Sequence, residues 1–231
     1  MALKKIGILG GMGPEASANL YYKMIYYCQN KYHAVQDTDY PPMFIYSLPL
    51  YGFDESGIVN KELVLEQLIH GIDLLENAGS DLIVIPCNTV HIFINELRVR
   101  SPIPVISIIE ETIKKIKKGN HSVVGLLGSE TTLKLQLYQE QLSENNINYI
   151  SPEEDENSVL KQLILEVMSG KVENNTKNNA ISIIRKMEKR SANAIVLGCT
   201  EIPLAISQED VNLKVYDTLQ ILAEAAVDLA I

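Results

Sequence analysis

Short apolar runs alternate with longer amphipathic stretches along the whole chain. The runs fall at 4–9, 42–48, 81–86, 103–107, 122–127, 147–150 and 193–197, and each predicts a short strand buried on both faces. Between them, apolar residues at helical spacing predict helices over 15–31, 60–78, 108–118, 130–145, 155–169, 173–190 and 217–230. Over 60–78 the apolar positions are 63, 64, 65, 68, 69, 72, 74 and 75, and Gly79 ends the run. Alternation of this kind predicts an α/β fold with largely parallel sheets covered by helices.

The pattern also repeats. A strand, a glycine turn and a helix, Gly7 to Ala18, recur at 122–138, and the run Asp81-Leu82-Ile83-Val84-Ile85-Pro86-Cys87-Asn88-Thr89 is echoed by Asn193-Ala194-Ile195-Val196-Leu197-Gly198-Cys199-Thr200. Cys87 follows Gly10 by 77 residues and Cys199 follows Gly128 by 71. Two similar half-molecules, each presenting one cysteine, are expected, with a boundary near the Ser101-Pro102-Ile103-Pro104 turn. One helix, 217–230, is left over. Packed back on the first half, it gives a discontinuous first domain of 1–102 plus 207–231 and a second domain of 103–206.

Composition narrows the function. With 46% hydrophobic residues in 231, the chain has ample apolar material for a core. The net charge of −9 opposes nucleic-acid phosphate and anionic membrane alike, so neither is expected as a partner. No apolar stretch approaches the roughly 18 residues of a spanning helix, and the N-terminus runs into the first strand without a cleavage-site pattern, so a cytoplasmic location is expected. Three cysteines, Cys28, Cys87 and Cys199, show no CxxC spacing, which predicts reduced thiols rather than a disulfide framework or a zinc site. Only four residues are arginine: Arg98, Arg100, Arg185 and Arg190.

The chemistry concentrates at strand ends. Gly10-Gly11-Met12-Gly13-Pro14-Glu15-Ala16 links a strand to a helix and fits the loose G-x-G-x-x-A form of a dinucleotide fingerprint. The second strand, however, runs out into Ser47-Leu48-Pro49-Leu50 without the acidic residue a nicotinamide ribose wants, so a loop for a small anion such as a carboxylate is the better reading. Cys87 and Cys199 both follow strands at the edge where open α/β sheets bind ligands, each with a helix expected just after, a position that raises thiolate fraction. Cys28, inside the run 15–31, reads as core. Asn88, Thr89 and Thr200 are helix-capping residue types whose N–H and hydroxyl groups can also serve a bound oxyanion. A pair of thiols suits removal of a proton from one face of a carbon and delivery to the other.

Three segments carry a family resemblance. Gly10-Gly11-Met12-Gly13-Pro14, Pro86-Cys87-Asn88-Thr89-Val90-His91 and Leu197-Gly198-Cys199-Thr200-Glu201-Ile202 resemble the signatures of the aspartate/glutamate racemase family, nearest its aspartate racemase branch. The resemblance spans nearly the whole chain. It implies two pseudo-symmetric Rossmann-like α/β domains with parallel sheets and an active site in the cleft between them. It also implies a cofactor-independent amino-acid racemase without pyridoxal phosphate or metal, an amino acid as the small-molecule substrate, and frequently a homodimer. On matching positions Cys87 and Cys199 become the two acid/base residues, and Ser129 and Thr132 fall in a segment resembling the substrate-carboxylate loop. Gly11, Met12, Asn88, Thr89 and Thr200 complete the expected substrate-binding set. His91, four residues past Cys87, either orients that cysteine or finishes a turn.

One departure bears on the substrate. Aspartate-specific members resemble one another in an Ile-Pro-Asp-Arg-Thr-like segment after the second strand, whose arginine grips the side-chain carboxylate. Here the region reads Leu48-Pro49-Leu50-Tyr51-Gly52-Phe53-Asp54-Glu55-Ser56-Gly57, and no arginine occurs before Arg98. The branch's lysine before the Gly170 turn is likewise replaced, by Val167-Met168-Ser169. Losing such a clamp removes charge and geometry together. A broader or different side-chain preference is expected, with Tyr51, Phe53 or Asp54 as pocket candidates. Two alternatives remain open from the residues: a cysteine-dependent cis-trans isomerase of a dicarboxylate, and a non-catalytic small-molecule binding protein.

Overall fold

In the computed structural model, which describes residues 3–54 and 57–231, the first apolar run forms β1 (Ile6–Gly10), every residue of which is buried. A strand apolar on both faces needs a helical layer on each side, and the flanking sequence supplies it. β1 pairs in parallel with β2 (Met43–Ser47) on one side and β5 (Leu82–Val84) on the other, and β5 pairs with β6 (Val105–Ile106). A two-residue ribbon, β3 (Phe53–Asp54) with β4 (Gly57–Ile58), follows β2. Glu55 and Ser56, within the arginine-free segment Leu48 to Gly57, lie outside the described residues.

A second four-stranded parallel sheet is built from β7 (Val123–Gly128), β8 (Asn148–Ile150), β9 (Ala194–Gly198) and β10 (Lys214–Asp217). The two sheets have the orders β2-β1-β5-β6 and β8-β7-β9-β10. Matched strand for strand, these are one topology used twice: first strand inside, second outside it, third on the other side, fourth beyond. The sequence repeat is therefore a repeat of fold, an α/β architecture with two parallel sheets.

The described chain divides into two units, one comprising 3–54, 58–111 and 219–231, the other Gly57 and 112–218. In the first, β1 and β5 are packed by α1 (Pro14–Tyr32) and α2 (Lys61–Asn77). Pro14 opens α1 at a first-turn position where its missing N–H costs nothing. Asn60 caps α2 by accepting from the Leu63 amide at 3.1 Å, a contact worth about 1 kcal/mol. The last helix, α10 (Thr218–Ala230), is held to this unit by Lys31 Nζ on Asp228 at 2.8 Å and by the Lys4 amide on the Ala230 carbonyl at 2.9 Å. In the second unit α7 (Asn157–Met168) and α8 (Asn174–Lys189) bury Leu160, Leu163, Ile164, Ile183 and Ile184 against Leu127, Ile195 and Leu197 of the sheet.

Three local expectations are corrected. The helix expected over 130–145 is broken into α5 (Glu130–Lys134) and α6 (Gln139–Glu144). Gln136 takes a left-handed φ of 55°, which ends helical geometry, and the bend sinks Tyr138 to full burial. The strand expected to reach residue 86 stops at Val84, where the chain turns with the Cys87 amide on the Ile85 carbonyl at 2.9 Å and Pro86 has no N–H to give a ladder. Strands β3, β4 and β10 were not expected, and the helices expected just after Cys87 and Cys199 are the short α3 (Ile94–Arg100), reached through a 3-10 turn, and α9 (Ile202–Ala205). No helix among the described residues is long and apolar enough to cross a membrane.

Candidate active site

In each unit the strand order reverses direction beside the first strand, between β1 and β5 and between β7 and β9. Open parallel sheets bind ligands at such switch points, outside the carboxyl ends of the strands. The motifs singled out in the sequence sit there. Gly11 and Met12 follow β1 and Cys87-Asn88-Thr89 follows β5; Ser129 follows β7 and Cys199-Thr200 follows β9.

In the first unit, Cys87 is 5% exposed and shares an apolar cluster with Met12, Leu48, Val90 and Phe93, against which Phe53 packs. Gly11 adopts φ +96°, and a Cβ there would come within 2.3 Å of the Leu48 carbonyl, so only glycine lets the loops after β1 and β2 meet. Its amide, expected as an anion donor, instead gives its hydrogen to Ser17 Oγ at 2.8 Å, and Ser17 Oγ in turn donates to the Gly13 carbonyl at 3.0 Å. The backbone of Tyr51 is clamped by Gln67 through two hydrogen bonds of 3.0 and 2.9 Å, while Tyr51 as a whole is 69% exposed. Tyr51 thus presents a surface side chain and Phe53 a packed one.

His91 is buried among the backbone groups of Cys87, Ile106 and Ile108. Its Nε2 accepts from the Ile108 amide at 3.2 Å, so the ring proton is on Nδ1, which donates to the Cys87 carbonyl at 2.8 Å. Burial pushes its pKa down to about 4, so the ring is neutral near pH 7. Both readings of His91 find support in its bonds: the ring holds the Cys87 carbonyl, and the backbone belongs to the 3-10 turn, where its amide gives its hydrogen to the Asn88 carbonyl at 3.1 Å.

In the second unit, Ser129 caps α5 by accepting from the Thr132 amide at 3.2 Å and donates to Thr132 Oγ1 at 3.0 Å. Cys199, 8% exposed, donates its thiol hydrogen to Glu201 Oε2 at 3.0 Å, and Thr200 Oγ1 donates to the same oxygen at 3.1 Å. Glu201 is only 5% exposed. The fully buried Tyr138, whose hydroxyl bonds Thr112 and Thr218, lies beside this strand end, where a Cβ on Gly198 would stand 3.2 Å from its ring. Sequence reasoning missed Glu201 and Tyr138. For Glu201 a signal existed, a carboxylate two residues past a strand-end cysteine.

The helices expected directly after the cysteines are weaker than anticipated. A 3-10 turn, 89–93, follows Cys87, with Asn88 at its cap position making no side-chain cap bond, and the four-residue α9 follows Cys199. At Cys199 a hydrogen-bond partner, Glu201, thus defines the thiol's surroundings more than a helix dipole does. Cys28, fully buried in α1, has its thiol pKa pushed up by burial, as expected of a core cysteine. None of the three cysteines is joined in a disulfide, and among the described residues no group of three or more His, Cys, Asp or Glu side chains is placed to hold a metal ion.

By fold and by the placement of its strand-end motifs, the chain falls among the doubled α/β proteins of racemase type. Residues 9–226 match the family profile described as Asp/Glu/Hydantoin racemase, and the chain belongs to that family. It is 32% identical over 222 residues, 96% of each chain, to the broad specificity amino-acid racemase RacX of Bacillus subtilis. Its fold superposes on an aspartate racemase homologue from Pyrococcus horikoshii with a TM-score of 0.84 at 32% identity, covering 99% of each chain. The aspartate racemase of Picrophilus torridus superposes with a TM-score of 0.81 at 28% identity, covering 98% of this chain and 94% of that one.

Proposed function

We propose that this protein is an amino-acid racemase that works without pyridoxal phosphate, using Cys87 and Cys199 as its acid/base pair. One cysteine, as thiolate, takes the α-hydrogen as a proton. The other, as thiol, protonates the opposite face, and for the other enantiomer the roles reverse. The observation that carries this reading is positional: both cysteines follow the third strand of the same four-strand topology, each beside its unit's switch point, in a member of a racemase family.

The α-carbon is a weak acid, so the carbanion needs donors aimed at the substrate carboxylate. Asn88, Thr89, Ser129, Thr132 and Thr200, at the same strand ends, are the candidates. The scarcity of arginine and the likeness to a relative named for broad specificity both support a substrate range not confined to aspartate.

The test is solvent exchange. Single L- and D-amino acids in deuterated buffer, with no added cofactor, lose their α-hydrogen signal as the enantiomer appears. Cys87→Ala and Cys199→Ala each abolish inversion, and Cys28→Ala does not. Full activity in either of the first two variants removes the two-cysteine mechanism, and a broad panel without exchange removes the racemase reading.

A further inference from the structure

The two cysteines have unlike neighbours in sequence. Two residues past Cys87 stands Thr89; two past Cys199 stands Glu201, whose buried carboxylate already accepts the Cys199 thiol hydrogen at 3.0 Å. We infer that Glu201 is the proton partner of Cys199, so that thiol and carboxylate form one proton-holding unit; this rests on the racemase reading above.

A thiolate and a carboxylate 3.0 Å apart in a buried place would be two adjacent anions, a state that low solvation disfavours strongly. The unit therefore alternates between charge 0 and charge −1. When Cys199 is the base, its S–H bond breaks as its proton passes to Glu201 Oε2. The sulfur then takes the proton of the substrate's α-C–H bond, whose electron pair stays on carbon and spreads into the substrate carboxylate. Cys87 gives its thiol proton to the opposite face and is left a thiolate. When Cys87 is the base, Cys199 gives its proton to carbon while Glu201 returns one to sulfur. One negative charge is present on the three groups before and after each turnover. Thr200 Oγ1, bonded to the same carboxylate oxygen, holds it in place. Of the titratable groups near this strand end, Tyr138 lies beside Gly198 and interacts electrostatically with Cys199, and Asp217 ends the neighbouring strand β10.

Three variants and one spectrum test this. Glu201→Gln keeps shape and removes the proton acceptor, so kcat falls about 100-fold or more with KM little changed. Glu201→Ala falls as far, and added formate restores turnover saturably in that variant but not in Glu201→Gln, where the side chain fills the space. Glu201→Asp retains intermediate activity. Without substrate, the infrared S–H band of Cys199, assigned by its loss in Cys199→Ala, lies at lower frequency in the wild type than in Glu201→Gln. Near-full kcat in Glu201→Gln, absence of formate rescue in Glu201→Ala, or an unshifted S–H band overturns the inference. Should the wild type invert no amino acid, the racemase reading falls by that result, and the S–H band still decides whether Glu201 holds the thiol's proton.

Discussion

His91 Nδ1 stands 2.8 Å from the carbonyl oxygen of Cys87, and the far side of the same ring accepts the amide of Ile108. The imidazole ties the cysteine segment to the start of α4 (Ile108–Lys118) while neutral, because burial holds its pKa near 4 against an ordinary 6.5. Below pH 6.5 the unfolded chain takes up a proton at this site that the folded chain refuses. Stability therefore falls as pH drops from about 6.5 to about 4, by about 3 kcal/mol from this group, and is insensitive to it above. Urea unfolding at steps between pH 7 and 4.5 checks this: the wild type loses stability more steeply than His91→Gln, which has nothing to titrate there.

The same bonds set the cost of removing the ring. His91→Ala removes the ring's hydrogen bonds to the Cys87 carbonyl and the Ile108 amide, a loss of about 1–3 kcal/mol at neutral pH. Because the carbonyl belongs to Cys87, turnover falls as well. His91→Gln, which keeps a donor and an acceptor on one side chain, recovers part of both, measured by unfolding midpoint and by initial rate.

Much of this arrangement was legible in the sequence because it is periodic. Seven apolar runs marked seven strands, and the echo of Cys87-Asn88-Thr89 in Cys199-Thr200 marked the third strand of each unit. β10 escaped because Lys214-Val215-Tyr216-Asp217 sets only two apolar residues between two charged ones at a sheet edge instead of forming a longer apolar run, although the repeat calls for a counterpart to β6. The break at Gln136 escaped because helix spacing on either side of it is regular, and only the burial of Tyr138 explains the bend. Contacts across turns were beyond reach altogether. That His91 meets an amide 17 residues on, or that Ser17 occupies the Gly11 amide, depends on how loops fold back.

The arginines bear on substrate choice through the geometry of the sheet. Helices that cover a parallel sheet run back from its carboxyl edge, so their last turns lie at the amino edge. Arg98 and Arg100 end α3, where Arg98 is engaged by Glu110 at 2.6 Å and by the Val105 carbonyl at the start of β6, and Arg100 by Asp73. Arg185 lies in the last turns of α8 and Arg190 caps its end. None follows a strand at its carboxyl end, where a substrate side-chain carboxylate would want a bidentate partner. Across a panel of single enantiomers, kcat/KM for aspartate and glutamate is expected not to exceed that for neutral amino acids of similar size. A preference for the acidic pair of tenfold or more, about 1.4 kcal/mol, contradicts this.

Gly11 offers a test of the loop that carries Met12 toward Cys87. Gly11 and Gly79 both adopt left-handed φ, 96° and 91°, so an alanine at either meets the same conformational penalty of about 1–2 kcal/mol. They differ in what the new methyl group would strike. At Gly79 the nearest atom is the mobile end of Lys5, 3.6 Å away, whereas at Gly11 it is the backbone of Leu48 at 2.3 Å, which cannot yield without parting the loops after β1 and β2. Overpacking of that kind adds about 1–3 kcal/mol. Gly11→Ala is therefore expected to destabilise clearly more than Gly79→Ala in parallel urea titrations. It also slows turnover by displacing Met12 from its contact cluster with Cys87, while Gly79→Ala, beyond the end of α2 and remote from the strand carboxyl ends, leaves turnover unchanged. Equal losses of stability in the two variants would mean that the approach of the two loops is not what requires glycine at position 11.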